Sequence, residues 1–253
     1  MQKNPHRIGP VLGRGLIALS GLALTTLSQA GAHWGYEDHE GPAHWGELDP
    51  GYVLCRTGQG QSPIDIHDTI DTDLPAIEFH YRAGGRDEIN NGHTIQIDYE
   101  PGSTISYDGR DYALKQFHFH TPSENHIYGH EFPLEAHLVH ADAEGHLLVI
   151  AVMFKEGGHN HALATAWQDM PERPHTHHLL HTHAFAGALL PQSRDYYRFD
   201  GSLTTPPCSE GVTWLVMKAP VTASQEQIAH FARVMGHPNN RPVQPLNGRV
   251  VQQ

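Results

Sequence analysis

Apolar and polar residues alternate over short runs through most of this chain with a period near two, so strands dominate the expectation. From Ile77 to Tyr112 the runs IEFHY, AGGRDE, NNGHTIQIDY and PGSTISYDGRDYAL follow one another between turn residues. That spacing predicts an antiparallel meander, with a hairpin turn at DGR, 108–110. In QFHFH, 116–120, Phe117 and Phe119 leave one face of a strand while His118 and His120 leave the other. EAHLVH, 135–140, repeats the pattern: Glu135, His137 and Val139 share a face, with Ala136 and Leu138 opposite. The connection between them, 121–134, is too long for a tight hairpin and is expected to shape the site around the histidines. HLLVIAVMF, 146–154, is apolar enough for a strand buried on both faces.

Helical spacing is confined to two stretches. Residues 159–170 place Ala162, Leu163, Ala166 and Trp167 on one side, and ASQEQIAHFARVM forms a stripe of Ile228, Phe231, Ala232 and Met235 that reads as core packing. QSPIDI, 61–66, reads as a turn entering a short strand. Ahead of it HWGYEDHEGPAHWGELDPGY has no period, but Trp34, Tyr36 and Trp45 are too costly to leave exposed together, so the segment is expected to lie across the domain. No element is assigned to DYYRFDGSLTTPPCSEGVTWLVMK, and the closing NNRPVQPLNGR reads as coil with a strand-like end.

At 253 residues the chain suits one large domain with a real core, although length alone also allows two small ones. A net charge of -12 without any basic patch argues against nucleic acid. Residues 1–30 read as a secretory signal, with Lys3, Arg7 and Arg14 ahead of GLIALSGLALTTL. Small residues offer cleavage after Ala30 or as late as Ala32, leaving a domain at 33–253 in the periplasm or outside the cell. The apolar run is too short for permanent spanning, so no membrane attachment is expected after its removal. An exported chain meets an oxidising environment, and its two cysteines, Cys55 and Cys208, are expected to form a disulfide rather than two separately buried thiols.

If the strands carrying His118, His120 and His137 pair, three imidazoles converge from one side of the sheet. Three neutral nitrogens with a vacant fourth position describe catalytic zinc, because structural zinc sites fill all four positions with protein ligands. Neither Cys-x-x-Cys nor His-Glu-x-x-His is present to suggest another zinc chemistry. Such a Zn2+ lowers the pKa of a bound water and supplies hydroxide near neutral pH. With 23 histidines in the chain, one His-x-His pair is weak evidence by itself. The interleaved phenylalanines and the third strand histidine add the weight. Five further histidines at 175–183 read first as a solvated loop, with loose metal binding or proton buffering as alternatives.

HWGY, QSPIDI, NNGH, QFHFH, SEN, EAHLVH, GSLTTPP and NNRPVQPLNGR, in this order from His33 to about Arg249, closely resemble the α-class carbonic anhydrases. The signal and the cysteine pair resemble the secreted bacterial type. The resemblance implies a mostly β (α+β) fold: a single domain around a large twisted, mostly antiparallel sheet with a few short peripheral helices. It also implies reversible hydration of carbon dioxide to bicarbonate and a proton by zinc-bound hydroxide.

By the same resemblance His118, His120 and His137 hold the zinc. Thr204 accepts a hydrogen bond from the hydroxide and gives its own proton to an ionised Glu124. The Thr204 amide, with Thr205 close by, holds bicarbonate or an inhibiting anion, and Val139, Val149, Leu203 and Trp214 wall the substrate. Gln116 orients His118, Glu135 orients His137, and the carbonyl of Asn239 receives the proton of His120. His93 shuttles the proton to solvent, with Tyr36 and Asn91 ordering the intervening waters. Carbon dioxide and bicarbonate are thus the expected partners, and a homodimer is allowed. A periplasmic zinc or nickel carrier is the alternative; it accounts for the 175–183 stretch, which stands outside the family pattern, but not for Thr204, Glu124 and His93.

Overall fold

The computed structural model describes residues 32–253 together with the first two, so the expected signal segment lies outside the described residues. Among the described residues thirteen strands carry the fold. They are β1 (Asp65–Ile66), β2 (Glu78–His80), β3 (Gly85–Asn90), β4 (Ile95–Tyr99), β5 (Thr104–Tyr107), β6 (Arg110–His120) and β7 (His126–Ile127). After these come β8 (Leu134–Ala141), β9 (Leu147–Glu156), β10 (Thr176–Ala184), β11 (Tyr196–Ser202), β12 (Glu210–Met217) and β13 (Val221–Ala223). Among the described residues four α-helices, all short, are α1 (Trp45–Leu48), α2 (Leu54–Thr57), α3 (His161–Ala166) and α4 (Gln225–Met235). Eleven strands form one sheet along the path β10, β3, β4, β6, β8, β9, β12, β11, with β2, β5 and β13 paired beside it. All its pairs are antiparallel except those of β12 and β13 with β9.

The 77–112 region is antiparallel but is not a consecutive meander, because β2 pairs with β5 while β3 pairs with β4 and β10. The cause is the length of β6, whose 11 residues take two partners end to end, β5 at Arg110–Ala113 and β4 at Gln116–His118. Asp108 and Gly109, at φ 47° and 73°, make the two-residue turn between β5 and β6, the left-handed pair such a hairpin requires.

One irregularity in β6 decides which way the histidines point. Tyr112 and Leu114 enter the same buried cluster as Phe117 and Phe119, although strict alternation would put even and odd positions on opposite faces. The register against β8 shifts between Leu114 and Gln116, and the extra residue, Lys115, absorbs the mismatch. Without that bulge His118 and His120 would share a face with Tyr112 and Leu114.

The sheet separates two apolar clusters, and β9 supplies both, with Leu148, Ile150, Val152 and Phe154 on one side and Val149, Ala151 and Met153 on the other. Phe119 meets Trp167 and Phe231 on the first side, beneath α3 and α4. α3 is shorter than the 159–170 predicted, starting where the Asn160 side chain accepts from the Ala162 and Leu163 amides and ending at Ala166. α4 begins in a Ser224–Gln227 capping box and ends at Gly236, φ 77°.

The histidine-rich stretch is not a loop. It is β10, an edge strand antiparallel to β3, with Leu180 and Ala184 buried and His177, His178, His181 and His183 exposed. Two buried side chains and the free edge of β3 suffice to make it a strand; the histidines report only that its other positions face water. At the N-terminal end Trp45, Cys55 and Cys208 form a third cluster with Trp34, Tyr36, Leu48 and Tyr52 around them. Cys55 and Cys208 are disulfide-bonded, S–S 2.07 Å.

Candidate metal centre

β6 and β8 lie side by side with His118 directly opposite His137, which brings three rings together. Their centroids are 5.1 Å (His118–His120), 5.3 Å (His118–His137) and 4.6 Å (His120–His137) apart. Each ring has one nitrogen engaged by an oxygen. His118 Nδ1 is 2.8 Å from Gln116 Oε1, His120 Nδ1 is 2.7 Å from the Asn239 carbonyl, and His137 Nε2 is 2.9 Å from Glu135 Oε1. The oxygens thereby select the tautomers and leave Nε2, Nε2 and Nδ1 with free lone pairs.

These three residues offer ligand atoms within 4.8 Å of one another, and His120 Nε2 is buried with no hydrogen-bond partner. Burial pushes all three imidazoles below their ordinary range, with like-charged neighbours adding to it for His118 and His137. Neutral rings, an orphaned inward nitrogen and a donor set of three nitrogens fit a divalent cation such as zinc, three of whose four usual positions these rings would fill. His118 is the partly exposed member and marks the side from which solvent enters.

Behind the triad, Glu135 Oε2 accepts from the amides of Glu124 (2.7 Å) and Asn125 (2.9 Å), while Oε1 accepts from Asn125 Nδ2 (2.8 Å). Burial raises the Glu135 carboxyl and the Asn125 donors pull it back. Asn125 received no role from the sequence, although it stands in SEN beside Glu124. Glu124 is fully buried; Oε1 accepts from the Arg241 amide (2.9 Å), and Oε2, without a hydrogen-bond partner, lies 3.5 Å from His120 Nε2. Burial lifts this carboxyl to about 8 against the opposing pull of the Thr204 hydroxyl and the Arg241 amide. The Glu124 carboxyl and the Thr204 hydroxyl are thus neighbours, though no hydrogen bond joins them in this structure.

Thr204 is buried in the turn after β11, and reciprocal bonds hold that turn: Ser62 N to Ser202 Oγ (2.8 Å) and Ser202 N to Ser62 Oγ (3.1 Å). Arg241, 1% exposed, was not singled out from the sequence. Its guanidinium donates to Gln61 Oε1, the Ser62 carbonyl and the Cys55 carbonyl, so it ties both flanks of the site to the N-terminal cluster.

Val149 and Trp214 are buried, and Val139 and Leu203 partly so, in the apolar cluster on the histidine side of the sheet; Trp214 meets His137 edge-on at 4.9 Å. Thr205 follows, half-buried, and its carbonyl accepts from the Cys208 amide. His93 lies in the β3–β4 turn, where Asn91 Oδ1 accepts from its amide (2.9 Å) and Asn239 Nδ2 donates to its carbonyl (2.9 Å). The His93 ring stacks on Trp34 at 3.7 Å and 7°, with Tyr36 at 6.4 Å. Burial holds it down at about 4, aided by His33, His175 and His237. The Tyr36 hydroxyl is raised by burial and then by the charge of Glu124, which places it on the site side.

The model of the eukaryotic-type carbonic anhydrase family matches residues 40–253. The chain belongs to this family. The carbonic anhydrase of Pectobacterium carotovorum is 53% identical over 219 residues, covering 87% of this chain and 90% of that protein. The α-carbonic anhydrase of Thermovibrio ammonificans, solved with the inhibitor sulfanilamide, matches at TM-score 0.87 and 48% identity, covering 88% of this chain and all of that one. The α-carbonic anhydrase of Photobacterium profundum matches at TM-score 0.83 and 44% identity over 87% of this chain and 100% of its own. Carbonic anhydrases of this type are zinc enzymes, and membership supports hydration of carbon dioxide.

Proposed function

We propose that the chain reversibly hydrates carbon dioxide to bicarbonate and a proton, with one Zn2+ held by His118 Nε2, His120 Nε2 and His137 Nδ1. The observation that carries this is the pairing of each ring's other nitrogen with an oxygen, so that all three free lone pairs belong to one site. Zinc held there supplies a Lewis acid that brings a water's pKa towards neutrality and so provides a nucleophile at physiological pH.

The chain's own residues do the rest. Glu124, anchored through Oε1 by the Arg241 amide, keeps Oε2 free to accept from the neighbouring Thr204 hydroxyl. Burial alone would keep Glu124 protonated near neutrality, and a cation held by the neighbouring histidines would favour its ionised form; that carboxylate accepts the threonine proton, so Thr204 Oγ1 offers only a lone pair to the attacking oxygen and orients it. Val139, Val149, Leu203 and Trp214 give a nonpolar substrate an apolar surface beside the histidines, and the Thr204 amide with Thr205 receives the anionic product. His93 carries the released proton to solvent, its backbone held by Asn91 and Asn239, with Tyr36 ordering water between.

Thr204→Ala should lower kcat/KM for carbon dioxide hydration by about a hundredfold while leaving zinc content intact. His137→Ala should lose both. Hydration that survives His137→Ala without zinc contradicts the reading. The carrier alternative has less support, since among the described residues the groups of three metal-ligating side chains are the triad and a second group of partly buried Asp142 with exposed Glu144 and His146, and neither lies in β10. The signal pattern at 1–30 and the bonded cysteines support a periplasmic or secreted location.

A further inference from the structure

β10 begins beside the turn that carries His93. The His175 amide donates to the Asn90 carbonyl (2.7 Å), and Asn90 in turn donates through Nδ2 to the Pro171 carbonyl (2.9 Å) and accepts the Gly92 amide at Oδ1 (3.0 Å). The His175 ring lies so close over Gly92 that a Cβ there would stand 3.1 Å from its Cε1, and Gly92, φ 89°, has a conformation that L side chains rarely adopt. His175 itself is held at φ 61°, a left-handed backbone uncommon for any residue but glycine. The turn of His93 and the start of the histidine-rich strand are thus one hydrogen-bonded unit, with His175 exposed across Gly92 from His93.

His93 stacked on Trp34 binds a proton weakly, at about 4. Passing it one from a group titrating near neutrality is uphill by about a thousandfold, so the transfer runs forward only if the proton leaves His93 quickly. The histidines whose charge depresses it are also candidate recipients: His33, His175 and His237. His33 Nε2 faces Glu40 Oε2 at 3.6 Å, and His237 Nδ1 is 2.9 Å from the Pro238 carbonyl. Only His175 opens onto a strand with four more exposed imidazoles, at 177, 178, 181 and 183.

Resting on the zinc hydration reading, we propose that His175 is a second proton carrier, taking the proton that His93 releases and passing it to the solvent buffer from the head of the histidine-rich strand. In the step an N–H bond of the His93 imidazolium breaks, and its proton joins a ring nitrogen lone pair of His175 through intervening water. His93 returns neutral, and the His175 imidazolium then gives its proton to a buffer base. The four histidines of β10 keep a supply of exchanging imidazole beside this exit.

The test uses the full zinc-loaded enzyme with His175→Asn and His175→Gly, two residues that accept the left-handed backbone and retain the amide bond to Asn90. In weak buffer both variants should lose about three- to tenfold in kcat with kcat/KM as in the unsubstituted enzyme, and strong imidazole buffer should restore kcat. Independently of turnover, histidine-resolved NMR titration of His175→Asn should show the His93 ring titrating at higher pH, because one like charge is gone. Unchanged kcat in weak buffer, a loss that imidazole does not restore, or an unshifted His93 titration overturns the relay alone. A chain that hydrates no carbon dioxide at any buffer strength overturns the reading beneath it as well.

Discussion

A triad of imidazoles becomes a metal site only when each ring is prevented from turning its other nitrogen inward. Glu135 does this for His137 and is itself fixed by Asn125, so Glu135→Gln should weaken zinc affinity by roughly 10- to 100-fold, measured by competition with a chelator. Undiminished affinity would mean the carboxylate is only structural. Glu88 shows the opposite case, a buried carboxyl whose two oxygens have no partner and which burial holds at about 8 against an ordinary 4.5. The Asp169 amide pulls it down and the Asp169 carboxylate pushes it up, while His178 stands opposite on β10. Between those two values the folded chain binds more protons than the unfolded one, so this group's contribution is whole below 4.5 and is lost as pH rises through 8. Glu88→Gln should therefore gain on the unsubstituted protein across that window, by at most roughly 1.4 kcal/mol per pH unit, read as a Tm difference that widens from acid to alkaline buffer. A constant difference would contradict the assignment. The grouping of the three histidines was legible because alternation states which face a strand residue takes. Glu88, Asn125 and Arg241 were not, because their roles come from who surrounds them after folding.

Among the elements, β6 shows where a pattern is sufficient and where it stops. The alternation of 117–120 is correct locally, but no pattern announces the bulge at Lys115 that keeps those positions on the site face while Tyr112 and Leu114 stay in the core. Deleting Lys115 should force either the two histidines into the apolar cluster or a slipped register against β8, and either outcome abolishes stoichiometric zinc binding by elemental analysis. Retention of one zinc per chain would show that the bulge is dispensable. β10 was misread for a related reason: histidine content describes solubility, whereas pairing depends on the free edge of β3 and on Leu180 and Ala184. α4 was legible from its stripe, and the Ser224 cap found in the fold agrees with it; Ser224→Ala should cost about 1 kcal/mol in denaturant unfolding.

For the molecule as a whole, distant parts of the chain meet at the site. Cys55 and Cys208 are 153 residues apart, and Arg241 reaches the Cys55 and Ser62 carbonyls, so the turn of Thr204, the N-terminal cluster and the C-terminal coil are bound together. Closing so long a loop stabilises by up to roughly 5 kcal/mol in the chain-entropy model, and Cys55→Ser/Cys208→Ser should lower Tm accordingly. The order of motifs along the sequence announced this family; the sheet order, in which β5 and β4 share β6, follows from strand lengths that only the folded chain reveals. The most direct measurement is stopped-flow hydration of carbon dioxide by metal-free protein titrated with zinc. Activity should be absent without metal, rise linearly to a plateau at about one zinc per chain and disappear again with chelator. Hydration by the metal-free protein, or a chain that takes up its zinc and stays inactive, would contradict the account.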